Sequence, residues 1–173
     1  MKQALIIGVA LAALVALPAS TWAQAKTDFS GTWIFDAARS DPAPPVGRGG
    51  GGGGGRGGGG GVATSLGVTQ TATQITIDRT MSQGATSGVY KLDASESTNS
   101  LGDVFLSRST TSWDGAKLVI TTRKDMGLGP NGPLSEESKE VFSLDGGVLT
   151  IVATTRIAPA SEQTRKLVYN RKT

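Results

Sequence analysis

The chain has 173 residues, a length typical of a single domain, and carries 17 Lys and Arg against 14 Asp and Glu. Because the net charge of +3 is small and the basic residues are scattered, we expect no nucleic-acid partner. Cysteine and histidine are both absent, which removes disulfides, the usual zinc, haem and copper ligands, and the Ser-His and Cys-His catalytic pairs. The composition therefore predicts a protein that is not an enzyme and holds no metal or other cofactor.

The first 25 residues have the pattern of a secretory signal peptide. Lys2 supplies a positive start, residues 5–17 are an uncharged apolar run, and small residues allow cleavage after Ala25 or, alternatively, after Ala23. The run is shorter than the roughly 20 residues that cross a bilayer, although an uncleaved anchor is the alternative. We expect a periplasmic or secreted domain, residues 26–173, with no stable membrane insertion and no lipid-modified cysteine.

Residues 42–61 form a Pro/Gly-rich segment after the first predicted strand. From residue 47 to residue 61, only Arg48 and Arg56 interrupt the glycines. Such a tract cannot bury enough apolar surface to offset its ordering entropy, so we predict a disordered loop. An Arg-Gly-Gly nucleic-acid segment is the alternative, but two arginines without interleaved aromatic residues support it poorly.

The rest of the chain alternates apolar and polar residues with a period of two, which predicts strands. Asp-Gly pairs at 114–115 and 145–146 are typical of tight hairpins. Residues 127–133 predict a loop, and a short helix is an option only at residues 36–40. The pattern gives about nine strands, at 29–35, 64–71, 74–80, 86–92, 103–112, 116–124, 136–144, 147–155 and 163–172.

These strands are joined mostly by short connections, so consecutive strands should pair with each other. A long meander leaves two unpaired edges unless it closes on itself. The predicted fold is therefore all-β, a closed antiparallel meander barrel of about 8 to 10 strands.

Four short motifs resemble lipocalins and fatty-acid-binding proteins, the calycin group. Residues 29–33, Phe-Ser-Gly-Thr-Trp, resemble the Gly-x-Trp opening of their first strand, and residues 167–171 resemble the end of their last strand. The hairpins at 113–118 and 144–149 resemble those of the fatty-acid-binding branch. The chain also resembles exported bacterial proteins of uncharacterised function that begin with Phe-Ser-Gly-Thr-Trp after a signal peptide.

The resemblance implies a structural role for Gly31, Trp33 and Arg171 in closing the barrel. Trp33 would seal one end, with the guanidinium of Arg171 over its ring in a cation–π contact. The chain also departs from the family. Leu167 stands where an arginine would help to hold a ligand carboxylate, and the glycine tract stands where a helical lid would be expected.

Two arginines are in phase with apolar neighbours on predicted strands. Arg79 follows Ile75 and Ile77 at alternate positions, and Arg108 similarly follows two apolar residues of its strand. If those neighbours face inward, each guanidinium needs an anionic partner, such as a ligand carboxylate or phosphate. The alternative is that each arginine reaches solvent at the barrel mouth. The other candidate ligand-binding residues are aromatic: Phe35, Tyr90, Phe105, Phe142 and Tyr169.

Two further features favour structural roles. Trp113 is interpreted as an anchor beside a hairpin turn, with a ligand platform as the alternative. Glu136 and Glu140 share one face of a strand while Glu137 takes the other, and we interpret this cluster as a solvated outer surface rather than a catalytic or calcium site.

The predicted function is non-covalent binding of a small apolar or amphiphilic ligand inside an exported barrel. The alternative is a non-enzymatic structural or protein-interaction barrel of the cell envelope with no internal ligand. The sequence identifies no protein partner.

Overall fold

The structure, a computed structural model, describes residues 26–42, 62–82, 84–101, 105–129, 132–157 and 162–173. The predicted signal peptide and residues 43–61 of the predicted disordered loop lie outside these ranges. The described residues contain ten β-strands and no helix. The strands are β1 (Gly31–Phe35), β2 (Ser65–Gln70), β3 (Gln74–Met81), β4 (Gly84–Lys91), β5 (Ser97–Leu101), β6 (Phe105–Asp114), β7 (Lys117–Gly129), β8 (Gly132–Asp145), β9 (Val148–Ile157) and β10 (Gln163–Arg171).

The ten strands form one antiparallel sheet in which the first and last strands are neighbours. The strand order is β4-β3-β2-β1-β10-β9-β8-β7-β6-β5, so every pair except β1–β10 is consecutive in sequence. Trp33 of β1 lies opposite Arg171 of β10. The sheet curls into a barrel that is nearly closed, with β4 and β5 meeting along a seam. This confirms the predicted all-β meander barrel.

Three local differences from the predicted elements have identifiable causes. Strand β5 was not predicted because its sequence, Ser-Thr-Asn-Ser-Leu, lacks an apolar face. Residues 37–39 form a turn rather than a helix, and Ser40 accepts a hydrogen bond from the Val168 N–H of β10 at 2.8 Å. Residues 127–129 and 132–133 of the predicted loop belong to β7 and β8, and β7 continues through a register shift between Asp125 and Leu128.

The inward side chains at one end of the barrel form the apolar core, called here the apolar end. Residues 26–30 run across this end, and the Trp33 indole N–H donates to the Phe29 carbonyl at 3.0 Å. The Phe29 ring stacks near Trp113 at 6.2 Å and contacts Phe142 edge-on at 6.1 Å. The buried residues of the apolar end are Phe29, Trp33, Leu66, Val68, Ile75, Ile77, Leu118, Ile120, Phe142, Leu149, Ile151 and Tyr169.

Arg171 covers the outer side of the apolar end. Its guanidinium carbon lies 4.4 Å from the centre of the Trp33 ring, and its Nη1 donates to the Ser30 carbonyl at 2.9 Å. A Cβ at Gly31 would lie 2.6 Å from that same Nη1, and Gly31 has a φ of 141°. Only glycine therefore allows the arginine to approach the ring so closely.

Within the described part of the chain, no helix has the length and apolar character that a membrane crossing requires.

Candidate functional site

The opposite half of the barrel interior is polar, and it is called here the polar end. On β3, the alternation that buries Ile75 and Ile77 also directs Arg79 inward. On β8, Glu136 and Glu140 lie on the same inner face as Phe142, because side chains two residues apart share one face of a strand. The polar end is thus a continuation of the same inward-facing rows that form the apolar core.

Two ion pairs lie inside the polar end, and the first of them joins strands that are not neighbours in the sheet. Nη2 of Arg79 lies 2.8 Å from Oε2 of Glu140, and the two side chains are 19% and 23% exposed. The Lys124 ammonium lies 3.0 Å from Oε2 of Glu136, on the neighbouring strand. Each pair neutralises charges that would otherwise be desolvated without compensation.

Arg79 makes a second interior contact. Its Nη1 donates to the Tyr90 hydroxyl at 3.3 Å. Burial alone would lower the pKa of Arg79, but the negative charge of Glu140 and then the interaction with Tyr90 raise that pKa above its ordinary value. The guanidinium is therefore a permanent cation whose charge is already matched by Glu140.

A cavity of about 200 Å³ lies among these groups. Its wall contains both ion pairs and the apolar side chain of Met81. The remaining groups are mostly hydroxyls, and the hydroxyl residues of the wall are Thr86, Ser87, Tyr90, Ser107, Thr122 and Ser138. The lining therefore combines many hydrogen-bonding groups with apolar surface, which comes from Met81 and from the aliphatic and ring carbons of the other side chains.

Gly88 makes room for the tyrosine of the cavity wall. A Cβ at Gly88 would lie 2.6 Å from the Tyr90 hydroxyl oxygen and 2.9 Å from the ring carbon that bears it. The missing side chain thus lets the Tyr90 ring lie along β4, with its hydroxyl directed toward Arg79.

The seam between β4 and β5 borders the cavity and is held by side chains. Among the described residues no backbone ladder joins these strands. Instead, the Asn99 amide accepts from the Val89 N–H at 2.8 Å and donates to the Val89 carbonyl at 3.0 Å. Ser97 accepts from the Lys91 N–H at 2.9 Å, and Thr111 donates to the Lys91 carbonyl at 2.5 Å. These bonds satisfy strand-edge groups that would otherwise be unpaired.

A further charge lies close to the polar end but outside the cavity wall. Nε and Nη2 of Arg165 are buried and have no hydrogen-bond partner among the described residues. Burial raises the pKa of the Tyr169 hydroxyl to about 12, and the opposing charges of Arg79, Glu140 and Arg165 modify it further. Tyr169 therefore lies at the boundary between the two ends.

The candidate arginines predicted from the sequence have different positions. Arg79 points inward and lines the cavity, where its anionic partner is Glu140. Arg108 does not point inward. Its side chain is 65% exposed and lies 4.0 Å from Glu96, and its neighbour Leu106 is 63% exposed. Of the two alternatives for Arg108, the one in which it reaches solvent is therefore observed, and Arg108 is not a ligand-binding residue of this cavity. The inner face of β6 carries hydroxyls that bind adjacent strands and the seam.

Among the candidate aromatic side chains that the structure describes, only Tyr90 lines the cavity. Phe142 is buried in the apolar end, and Phe35 contacts the Tyr169 ring edge-on with the ring centres 5.5 Å apart. Phe105 begins β6, and its side chain lies outside the described part of the chain. The sequence-based expectation was that these aromatic residues would line one ligand-binding space. The described ones do not, because all except Tyr90 lie away from the cavity.

The interpretation of the glutamate cluster as a solvated outer face is wrong for two of its members. Glu136 and Glu140 face the interior, and only Glu137 is exposed. Sequence reasoning also did not identify Lys124, Asn99 or Arg165. The available signal was charge complementarity across the β7–β8 hairpin, where Lys124 lies opposite Glu136.

The described residues contain no group of three or more His, Cys, Asp or Glu side chains placed to hold a metal ion. The interior groups can donate and accept hydrogen bonds, and their geometry fits non-covalent binding.

No protein-family model and no curated protein sequence matches the chain. Solved structures do match it in fold. A structure described as "REP1-NXSQ fatty acid transporter" has a TM-score of 0.52 at 13% identity, over 83% of this chain and 96% of that one. A secretary abundant heat soluble (SAHS) protein from Ramazzottius varieornatus has a TM-score of 0.53 at 13% identity, over 83% of this chain and 95% of that one. The chain therefore shares the antiparallel barrel fold of these structures.

Proposed function

We propose that the barrel binds a small amphiphilic molecule non-covalently, with the polar part of the molecule in the cavity of the polar end. The observation that carries this proposal is the cavity of about 200 Å³ inside an otherwise filled barrel. Water fills a polar cavity of this size, and a ligand that reproduces the hydrogen bonds of that water can displace it. The description of one fold neighbour as a fatty acid transporter supports an interior ligand.

A wholly apolar ligand fits this cavity less well than an amphiphilic one. The apolar end is filled by the protein's own side chains. An alkane-like molecule in the polar end would separate hydroxyl and charged groups from water without replacing their hydrogen bonds. Met81 and the ring of Tyr90 are the parts of the wall that suit an apolar segment.

The second candidate function is a structural or interaction barrel without an internal ligand. The observation that favours it is the dense packing of the apolar end, where Phe29, Trp33 and Phe142 are fully buried. Such packing would stabilise a scaffold that acts through its surface. The two functions differ in whether the cavity is occupied.

Native mass spectrometry of the protein purified from its own source tests the proposal. We expect a small molecule that stays bound and is lost in a Ser138→Leu variant, in which the larger side chain fills the cavity. Thr121→Leu is the matched control, because Thr121 is exposed on the outer face of the adjacent strand. A folded protein that retains no ligand, and that no amphiphile stabilises in a thermal shift panel, would instead support the structural barrel.

We also propose that the protein is exported and acts in the periplasm or outside the cell. The charged start, apolar run and small residues of positions 1–25 support this proposal. Sequencing the N-terminus of the protein recovered from periplasmic and medium fractions tests it. We expect a chain beginning at Lys26, whereas an intact N-terminus in the cytoplasm would contradict export.

A further inference from the structure

Resting on the proposed function, we infer that the polar group held in the cavity is uncharged and hydroxyl-rich, such as a single sugar ring or a comparable polyol. This inference concerns which chemical class of amphiphile the site selects. It follows from the charge balance, the free hydroxyls and the size of the cavity.

The charges of the cavity wall balance one another. Arg79 is paired with Glu140, and Lys124 is paired with Glu136. A carboxylate or phosphate entering the cavity would meet two carboxylates, and the charge of each cation that could attract it is already matched by a glutamate. An uncharged polar group meets no such repulsion.

Two hydroxyls of the wall are available to a ligand. The side chains of Thr86 and Ser138 make no hydrogen bond to other described residues. Each can donate one hydrogen bond and accept others. A polyol has the same dual capacity at every hydroxyl, so it can match this array, whereas a carboxylate can only accept.

The neighbouring charged groups also suit hydroxyl ligands. The Arg79 guanidinium is a planar donor, and the carboxylates of Glu136 and Glu140 are acceptors on the opposite wall. A hydroxyl-bearing ring placed between them could donate to one side and accept from the other without disturbing either ion pair. Hydrogen bonds of this kind to charged groups are stronger than those between neutral groups.

The size of the cavity limits the ligand further. A volume of about 200 Å³ is below the roughly 300–1,000 Å³ typical of drug-sized ligand pockets. Because Phe142, Ile120 and Ile151 fill the barrel beyond it, a long alkyl chain has no interior space. The cavity suits one ring, with any alkyl segment directed away from the apolar end.

Arg165 is the one interior cation without a partner among the described residues. It is not part of the cavity wall, so a group bound among Thr86, Ser138 and Glu140 does not neutralise it. An anionic ligand could instead pair with Arg165. Preferential binding of an anionic ligand is therefore the competing outcome of the test described next.

Titration of the purified mature protein with two probes of equal alkyl chain length decides between an uncharged and an anionic polar group. Octyl glucoside carries an uncharged hydroxyl-rich head, and octanoate carries a carboxylate. Both are used below the concentration at which they form micelles. We expect octyl glucoside to bind at least about tenfold more tightly, which corresponds to about 1.4 kcal/mol.

Two variants link this preference to the cavity. Ser138→Ala should weaken octyl glucoside binding several-fold, while Thr121→Val on the outer face should leave it unchanged. Glu136→Gln removes a negative charge and frees Lys124, so it should shift the preference toward octanoate. An unchanged preference in Glu136→Gln would show that charge balance does not select the ligand.

The outcomes separate the inference from the proposed function. If octanoate binds as tightly as octyl glucoside or more tightly, the inference is overturned while amphiphile binding stands. If a folded protein binds neither probe, the proposed function fails and the inference fails with it.

Discussion

The two ends of the barrel are built by the same strands but differ in chemistry. On β3, Ile75 and Ile77 belong to the apolar end, and Arg79, two residues further on, belongs to the polar end. On β8, Phe142 is fully buried, and Glu140 on the same face forms an ion pair. A single two-residue step therefore separates the part of the interior that holds the fold together from the part that can hold a ligand.

This contrast indicates that the two ends have different roles: the apolar end stabilises the fold, and the polar end contains the cavity. Burying apolar side chains releases about 25 cal/mol per Å² of apolar surface removed from water, so the filled apolar end supplies a large share of the folding free energy. Ion pairs and hydroxyls at the polar end gain much less, because desolvation offsets their mutual attraction. Substitutions at the two ends should differ accordingly.

The largest expected effect is in the apolar end. Trp33→Ala should lower the free energy of unfolding by about 3–5 kcal/mol, because it removes a fully buried ring and its contact with Arg171. The measurement is denaturant unfolding at neutral pH. Met81→Ala in the cavity wall is the matched comparison and should cost only about 1 kcal/mol, since this side chain is already partly exposed. Equal losses would remove the distinction between the two ends.

The Arg79–Glu140 pair should give the next largest effect. Glu140→Gln leaves the half-buried guanidinium without its anionic partner, and we expect a loss of about 2–3 kcal/mol. Asp125→Asn, in the exposed pair with Arg123, should change stability by less than about 0.5 kcal/mol. Thermal and denaturant unfolding of both variants check this, and similar values for the two pairs would contradict the assignment of Glu140 to the interior.

The free energy of unfolding at alkaline pH reports on the burial of the Tyr169 hydroxyl, which lies at the boundary between the two ends. Because burial raises its pKa from 10 to about 12, folding favours the neutral phenol. The resulting stability is fully present below pH 10 and is lost as the pH rises through 12, by up to about 3 kcal/mol. Tyr169→Phe lacks this titration, so its unfolding free energy should fall less than that of the native chain above pH 10. Parallel curves would show that the hydroxyl ionises as freely as in water.

The smallest expected effect is at the seam. Asn99→Ala removes both hydrogen bonds to Val89 and should cost about 1–2 kcal/mol. It should also speed hydrogen exchange at the Val89 amide more than at the Ile77 amide, because β3 keeps its ladders on both sides. Unchanged exchange at Val89 would show that the seam does not depend on this amide.

The strands and the barrel were accessible from the sequence because their determinants are local. Alternation along β3 and the Asp-Gly turns depend on residues a few positions apart, and the Gly-x-Trp opening resembled a known first strand. Strand β5 was not accessible because its inward hydroxyl and amide groups bind the backbone of β4 rather than an apolar core. The role of β5 becomes apparent only from its contacts with β4.

The polar end was harder to predict because its partners are distant in sequence. Arg79 and Glu140 are 61 residues apart, and a glutamate on an alternating strand otherwise indicates an outer face. On β6, apolar Leu106 is exposed and Ser107 is buried, which reverses the ordinary rule and leaves Arg108 exposed. Local patterns cannot reveal this reversal, since it depends on which strands adjoin each face.

The most direct test of the account is the location of ligand-induced changes in an amide NMR spectrum of the protein titrated with octyl glucoside. The account predicts shifts concentrated at Gly88, Ser107 and Ser138 around the cavity, with Leu118 and Leu149 of the apolar end unaffected. Shifts centred on Leu118 and Leu149, or no shifts in a folded protein at saturating probe, would contradict it.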